Sequence, residues 1–144
     1  MGDSQHKEGW TKEPRPSPAN TAAIVVLYHA DPNLVCRLAA LKGQVSRLYA
    51  VVNDSVSGEL LAHFAEVPLS LIFQPLNPGL GFSLNAGLAR ARAEQFCWCL
   101  LLDQDSQISD DLLETLAELS SITGDHRTAV LAPNYRCPVT GLAA

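Results

Sequence analysis

The 144-residue sequence lacks an apolar run long enough to cross a lipid bilayer. The apolar stretch CWCLLL at residues 97–102 ends at Asp103, whereas a transmembrane helix needs about 20 apolar residues. The first 20 residues are polar and proline-rich and lack the apolar core of a secretory signal peptide. We therefore expect no transmembrane segment and a cytoplasmic location, with a peripheral position at the inner membrane as the alternative.

Basic residues are also scarce. Lysine and arginine together number 10 against 15 aspartates and glutamates, which gives a net charge of −5. Nucleic-acid-binding domains usually carry a clustered basic footprint, so we expect no nucleic-acid partner. Small phosphorylated ligands remain compatible with this composition, because they need only local hydrogen-bond donors or a metal ion.

A dinucleotide-binding glycine pattern is missing as well. The nearest segment, NPGLGFSLNAG at residues 77–87, contains Gly79 and Gly81 but has Leu84 where G-x-G-x-x-G needs a third glycine. It also follows the third predicted strand rather than the first, which argues against a dehydrogenase. The helix that begins here still offers free backbone N–H groups to an anion. Asn85 lies early in that helix, where its propensity is unfavourable, so a ligand or packing role is plausible.

The sequence does contain a regular alternation of short apolar runs and helical patterns. Strands are predicted at residues 22–29, 47–53, 69–74, 97–102 and 128–133. The main helices are predicted after Asp31-Pro32, with an apolar face from Leu34 to Val45, and at residues 82–95 and 111–119. This alternation predicts an α/β fold, a Rossmann-like three-layer sandwich with a mostly parallel sheet. Residues 1–20 are predicted to form a flexible tail, and residues 21–144 a single domain.

Polar clusters follow three of the predicted strands. They are Tyr28-His29, Asn53-Asp54-Ser55 and Asp103-Gln104-Asp105. The carboxyl ends of parallel strands lie at one edge of the sheet, where ligands bind in such folds. We therefore expect the three clusters to lie along a single rim.

The two acids of the last cluster come directly after three leucines. On a continuing strand the carboxylates of Asp103 and Asp105 would point the same way and repel each other, so either a cation lies between them or a turn separates them. A polar strand end before the next helix is the simpler explanation, but Ser109 can cap that helix without them. Carboxylate oxygens combined with phosphate oxygens suit Mg²⁺ or Mn²⁺. We therefore predict a site for one of these metals at Asp103 and Asp105.

Four motifs, in this order, resemble the N-terminal half of a family 2 glycosyltransferase with the GT-A fold. The resemblance covers residues 22–133 and rests on VVLYHAD, VVNDS, NPGLGFSLNAG and LLLDQDS. The third segment matches N-x-G-x(5)-N-x-G, and the D-Q-D-S form of the fourth is similar to that of rhamnosyltransferases that use dTDP-rhamnose. Two positions depart from the family pattern: Ala30 replaces a proline, and Ser55-Val56 replaces Gly-Ser after Asp54.

The resemblance implies a nucleotide-diphospho-sugar donor, either dTDP-rhamnose or a UDP-sugar, bound with Mg²⁺ or Mn²⁺. It implies that Tyr28 and His29 line the base and that Asp54 bonds the base or ribose. Asp103 would lie near the ribose and the metal, and Asp105 would bind the metal that bridges the diphosphate. The glycine-containing element adds three candidate donor-binding residues: Asn77, Gly79 and Asn85.

The resemblance also implies that the acceptor half is missing. Family members continue into a region that supplies the carboxylate base for inverting transfer, so we expect a domain truncated at its C-terminus and a base beyond Ala144. The alternative is a catalytically incomplete fragment, or a non-catalytic protein that binds nucleotide-sugar or assembles with a partner. A nucleotidyltransferase is disfavoured, because no Gly-rich loop bearing Lys or Arg follows the first strand. An open C-terminal side would expose apolar surface and predicts a homo-oligomer or a partner chain.

Overall fold

The structure is a computed structural model that describes residues 14–55, 57–64, 69–123 and 129–134. Its elements in chain order are β1 (Thr21–Leu27), α1 (Leu34–Ala39), β2 (Arg47–Val52), α2 (Gly58–Phe64), β3 (Leu69–Phe73), α3 (Leu80–Ala93), β4 (Trp98–Leu102) and α4 (Leu112–Thr123). The predicted alternation of strands and helices is confirmed over these elements.

The four strands form one sheet in the order β3-β2-β1-β4, and every neighbouring pair is parallel. Central strand β1 is buried along its whole length, and β2 is buried after Arg47. Strands that are covered on both faces need continuous apolar sequence rather than alternation. This requirement explains the runs of Ala, Val, Ile and Leu in both segments.

Helices cover the two faces of the sheet. On one face Ala23, Val25 and Leu27 of β1 pack with Leu34 and Leu38 of α1, and Leu60 of α2 joins the same cluster. On the other face Ile24 packs in a cluster with Ala91 of α3. Successive side chains of a strand point to opposite faces, so β1 supplies both clusters. The predicted three-layer α/β sandwich is confirmed.

Two predicted elements differ from the structure. The first predicted helix, whose apolar face was expected to reach Val45, ends at Ala39. The chain then turns at Gly43, which has a φ of +84°, a conformation that glycine adopts without strain. The fifth predicted strand is also wrong over its described part, because residues 129–134 are not in a strand. Val130 is 80% exposed, so this run does not bury the apolar side chains that favoured a strand.

Part of the predicted tail contacts the domain. The Trp98 indole N–H donates to the Pro14 carbonyl at 2.6 Å, and the Cys97 backbone N–H donates to the Asn20 carbonyl at 3.1 Å. Residues 1–13 lie outside the described part of the chain. Within the described part, no helix has the length and apolar character needed to span a membrane.

Candidate functional site at the carboxyl ends of the strands

The polar clusters that follow β1, β2 and β4 lie side by side, as predicted. Because the sheet is parallel throughout, the three strands end at the same edge. Direct contacts join the clusters: Tyr28 bonds to Gln104, and His29 bonds to Asp54. We call this edge, formed by Tyr28, His29, Asn53, Asp54 and residues 103–105, the rim.

The first part of the rim is a pair of residues held by an aspartate. Asp54 Oδ2 accepts a hydrogen bond from the His29 backbone N–H at 2.7 Å and lies 3.3 Å from His29 Nδ1. The backbone of His29 has a φ of +50°, and its ring lies 4.0 Å from that of Tyr28, centroid to centroid. The Asp54 side chain is 17% exposed and that of His29 is 75% exposed. An ordered carboxylate beside two exposed rings can recognise a planar heterocycle by stacking and hydrogen bonding.

The second part of the rim is the turn that carries the two acids. Strand β4 ends at Leu102, and the Ser106 N–H donates to the Asp103 carbonyl at 3.1 Å, closing a β-turn. Asp103 and Asp105 are exposed, whereas Gln104 between them is partly buried. The sequence left open either a cation between the two acids or a turn that separates them, and the structure shows the turn.

The carboxylates of Asp103 and Asp105 are suitable ligands for a metal ion that is also coordinated by a phosphorylated molecule. Among the residues that the structure describes, no three His, Cys, Asp or Glu side chains are grouped to hold a metal by themselves. Mg²⁺ in nucleotide sites typically uses one or two carboxylates and takes its other ligands from water and phosphate. Two exposed carboxylates on one turn fit that requirement, because they leave the other coordination positions open to water and phosphate.

The third part of the site is the entry to α3, where a hydrogen-bond network fixes the loop. Asn77 Oδ1 accepts from the Gly79 N–H at 3.0 Å and from Asn53 Nδ2 at 3.2 Å. The buried Ser83 hydroxyl lies 2.6 Å from Asn53 Oδ1 and 3.0 Å from the Gly79 carbonyl. Gly79, at the N-cap of α3, has a φ of +91°. This network ties the end of β2 to the start of α3.

The residues predicted from the glycine-containing element therefore occupy different environments. Asn77 and Gly79 belong to the network beside the rim. Asn85 is exposed on α3, and no hydrogen bond among the described residues connects it to the strand ends. Gly87 packs against β1, because a Cβ built on it would lie 2.5 Å from Ile24 Cγ2.

Two residues that organise the rim received no role from the sequence, although Gln104 was placed in the last cluster. Arg37 Nε donates to the Gln104 carbonyl at 3.0 Å, and its Nη2 donates to the Asp31 carboxylate at 2.6 Å. The hydrogen bond from Arg37 lowers the pKa of the Asp31 carboxyl below its ordinary value. The second residue is Gln104, whose side chain contacts a residue 76 positions away.

Comparison with known proteins adds one assignment. The family model for glycosyl transferase family 2 matches residues 22–137, which include all of the rim and the whole described sheet apart from Thr21. Among curated proteins, none matches the sequence significantly.

Proposed function

Because the chain belongs to glycosyl transferase family 2, we propose that the rim binds the nucleotide-diphospho-sugar donor of a glycosyl transfer reaction. The observation that carries the proposal is the pair of exposed carboxylates, Asp103 and Asp105, on a turn beside the ordered Asp54 carboxylate. Among the described residues, neither carboxylate forms a salt bridge, although only Gln104 separates the two acids in the sequence. A ligand with a diphosphate and a divalent cation would supply a counter-charge for both.

Each part of the rim has a role in this proposal. Tyr28 and His29 present ring faces to the nucleobase, and Asp54 accepts a hydrogen bond from the base or ribose. Asp103 and Asp105 hold Mg²⁺ or Mn²⁺ together with diphosphate oxygens. The bound cation would neutralise charge that develops on the nucleoside diphosphate as it leaves.

The entry to α3 has a supporting role. Asn77 and Gly79 keep the loop beside the rim in one conformation through the network with Asn53 and Ser83. Asn85 remains a candidate for contact with the sugar or diphosphate from the helix surface. None of the rim residues serves as the general base in this proposal, so the role of the described residues is donor binding and leaving-group stabilisation.

The D-Q-D-S sequence suggests which donor to test first. Its resemblance to rhamnosyltransferases that use dTDP-rhamnose makes dTDP the first nucleotide and UDP the second. Inverting transfer of rhamnose is the specific reaction that we propose. A protein that binds the nucleotide-sugar without transferring it is the alternative, and it would show the same binding without turnover.

Calorimetric titration of the protein with dTDP and with UDP, in the presence and absence of Mn²⁺, tests the proposal. We expect Mn²⁺ to strengthen binding of one nucleotide at least tenfold, and Asp105→Ala to abolish that gain. Asp110→Ala is the matched control, because Asp110 is also exposed near the start of α4 but lies outside the rim. The proposal fails if folded wild-type protein binds neither nucleotide, or if the two variants lose metal-dependent binding equally.

A further inference from the structure

The side chain of Gln104 pairs with the main chain of Tyr28 at both of its polar groups. Gln104 Oε1 accepts from the Tyr28 N–H at 3.0 Å, and Gln104 Nε2 donates to the Tyr28 carbonyl at 2.8 Å. The backbone pairing of β1 with β4 ends at Val25 and Leu102. A carboxamide has one acceptor and one donor side, as a peptide group does, so the Gln104 side chain extends the pairing beyond the end of the ladder.

A second contact holds the same residue from its main chain. Arg37, on α1, donates from Nε to the Gln104 carbonyl at 3.0 Å. The same guanidinium is paired with the Asp31 carboxylate at 2.6 Å, which fixes its position. Gln104 is therefore anchored to β1 through its side chain and to α1 through its carbonyl.

These contacts determine which residues of the turn face outward. With Gln104 turned toward the fold, Asp103 and Asp105 on either side of it are exposed. Tyr28, which is hydrogen-bonded to the Gln104 side chain, is 45% exposed and lies beside His29 and Asp54. The part of the rim assigned to the base and the part assigned to the metal are therefore joined through one carboxamide.

We propose that Gln104 is a positioning residue that sets the distance between the nucleobase site at Tyr28 and the metal-binding acids at Asp103 and Asp105. This inference rests on the proposed function. A nucleoside diphosphate must contact both sites at once, and small displacements of positioned groups weaken such binding strongly. Loss of the two Tyr28 hydrogen bonds should therefore weaken binding of the diphosphate in the presence of metal, although Gln104 contributes no ligand atom.

Two substitutions separate this role from simple packing. Gln104→Met keeps the length of the side chain and removes both hydrogen bonds to Tyr28. Gln104→Glu keeps the shape of the side chain, but a carboxylate cannot donate to the Tyr28 carbonyl. Gln107→Glu is the matched control, because it places the same charge on an exposed residue of the same loop.

The experiment is titration of each variant with dTDP and UDP in the presence and in the absence of Mn²⁺, alongside wild type. For Gln104→Met we expect affinity about tenfold below wild type with Mn²⁺ present and within about twofold of wild type without it, because only the metal-bound diphosphate must reach both sites. For Gln104→Glu we expect a similar defect that is confined to the titrations with Mn²⁺. Gln107→Glu should remain within about twofold of wild type under both conditions.

The outcomes separate this inference from the function on which it rests. If wild type binds neither nucleotide, the proposed function and the positioning role both fall. If wild type binds and Gln104→Met binds equally well, only the positioning role falls. A Gln104→Met defect that is the same with and without Mn²⁺, or a Gln104→Glu defect that is matched by Gln107→Glu, also overturns it. Urea unfolding of the same variants shows whether a loss of binding reflects a loss of fold.

Discussion

At the rim, the acidic residues Asp103 and Asp105 are exposed on a turn. In α3, which packs on one face of the sheet, the small residues Gly87 and Ala91 are buried. Both regions contain residues that match motifs of the same family. In α3, packing within the protein explains the glycine of the motif, since a Cβ on Gly87 would lie 2.5 Å from Ile24 Cγ2. At the rim the two carboxylates remain available to a ligand.

This difference teaches how a family motif should be interpreted residue by residue. Asn77 and Gly79 are engaged in hydrogen bonds that shape the entry to α3, and Gly87 permits close packing. Their substitution should affect stability before it affects chemistry. The acids of the D-Q-D turn should show the reverse order, with binding lost and the fold retained.

The largest expected effect on stability in the α3 region is at Gly87. Gly87→Ala would place a Cβ 2.5 Å from Ile24 Cγ2, which is too close for two carbon atoms. Overpacking of this kind typically costs about 1–3 kcal/mol. Alanine gains about 1 kcal/mol over glycine in a helix. Because Ile24 is fully buried on a central strand and has little room to move, we expect a net loss of about 1–2 kcal/mol in the free energy of unfolding.

Gly81→Ala is the matched control for this substitution. Gly81 also lies in α3, but a Cβ there meets nothing within 4 Å, so the variant should be as stable as wild type or more stable. Urea unfolding of both variants provides the measurement. Equal stability of the two would contradict the packing role assigned to Gly87.

A smaller effect is expected at Tyr49, which is fully buried in the same cluster. Within the described part of the chain, its hydroxyl has no hydrogen-bond partner. Burial, together with the nearby Glu94 carboxylate, raises the pKa of Tyr49 from 10.0 to about 12. We expect Tyr49→Phe to change stability by less than about 1 kcal/mol at pH 7, because a buried hydroxyl without a partner contributes little.

The pH dependence of stability gives the sharper readout at Tyr49. A folded-state pKa above the unfolded value favours the protonated phenol in the folded chain. This contribution is fully present below pH 10 and is lost as pH rises toward about 12. The wild type should therefore lose more stability than Tyr49→Phe over that interval in urea titrations. Parallel curves for the two proteins would show that Tyr49 titrates normally.

The sequence was informative where its signals were local. Apolar runs bounded by turn residues predicted β1 to β4 within about two residues of their observed ends, and a parallel sheet necessarily brought their polar carboxyl ends together. The run at residues 128–133 has the same composition, but its described part forms no strand. Composition alone did not show whether a neighbouring strand was available to pair with it.

Contacts between distant parts of the chain were beyond prediction. Nothing near Gln104 indicates that its carboxamide bonds to Tyr28, because that contact depends on the order of β1 and β4 in the sheet. The left-handed backbone conformation of His29 and the hydrogen bond from Arg37 to the turn could not be predicted from the local sequence either. The candidate residues could be named from the sequence, but the way the protein holds them could not.

The central claim is that the rim, and no other surface, holds a divalent cation with a nucleoside diphosphate. Paramagnetic broadening of backbone amide signals by substoichiometric Mn²⁺, recorded with saturating dTDP or UDP, tests it directly. We expect selective loss of the signals of Gln104, Asp105 and Ser106 and a weaker effect at Tyr28, while Gly87 and Ala91 keep theirs. Broadening centred on another part of the chain, or none at all with both nucleotides, would contradict the account.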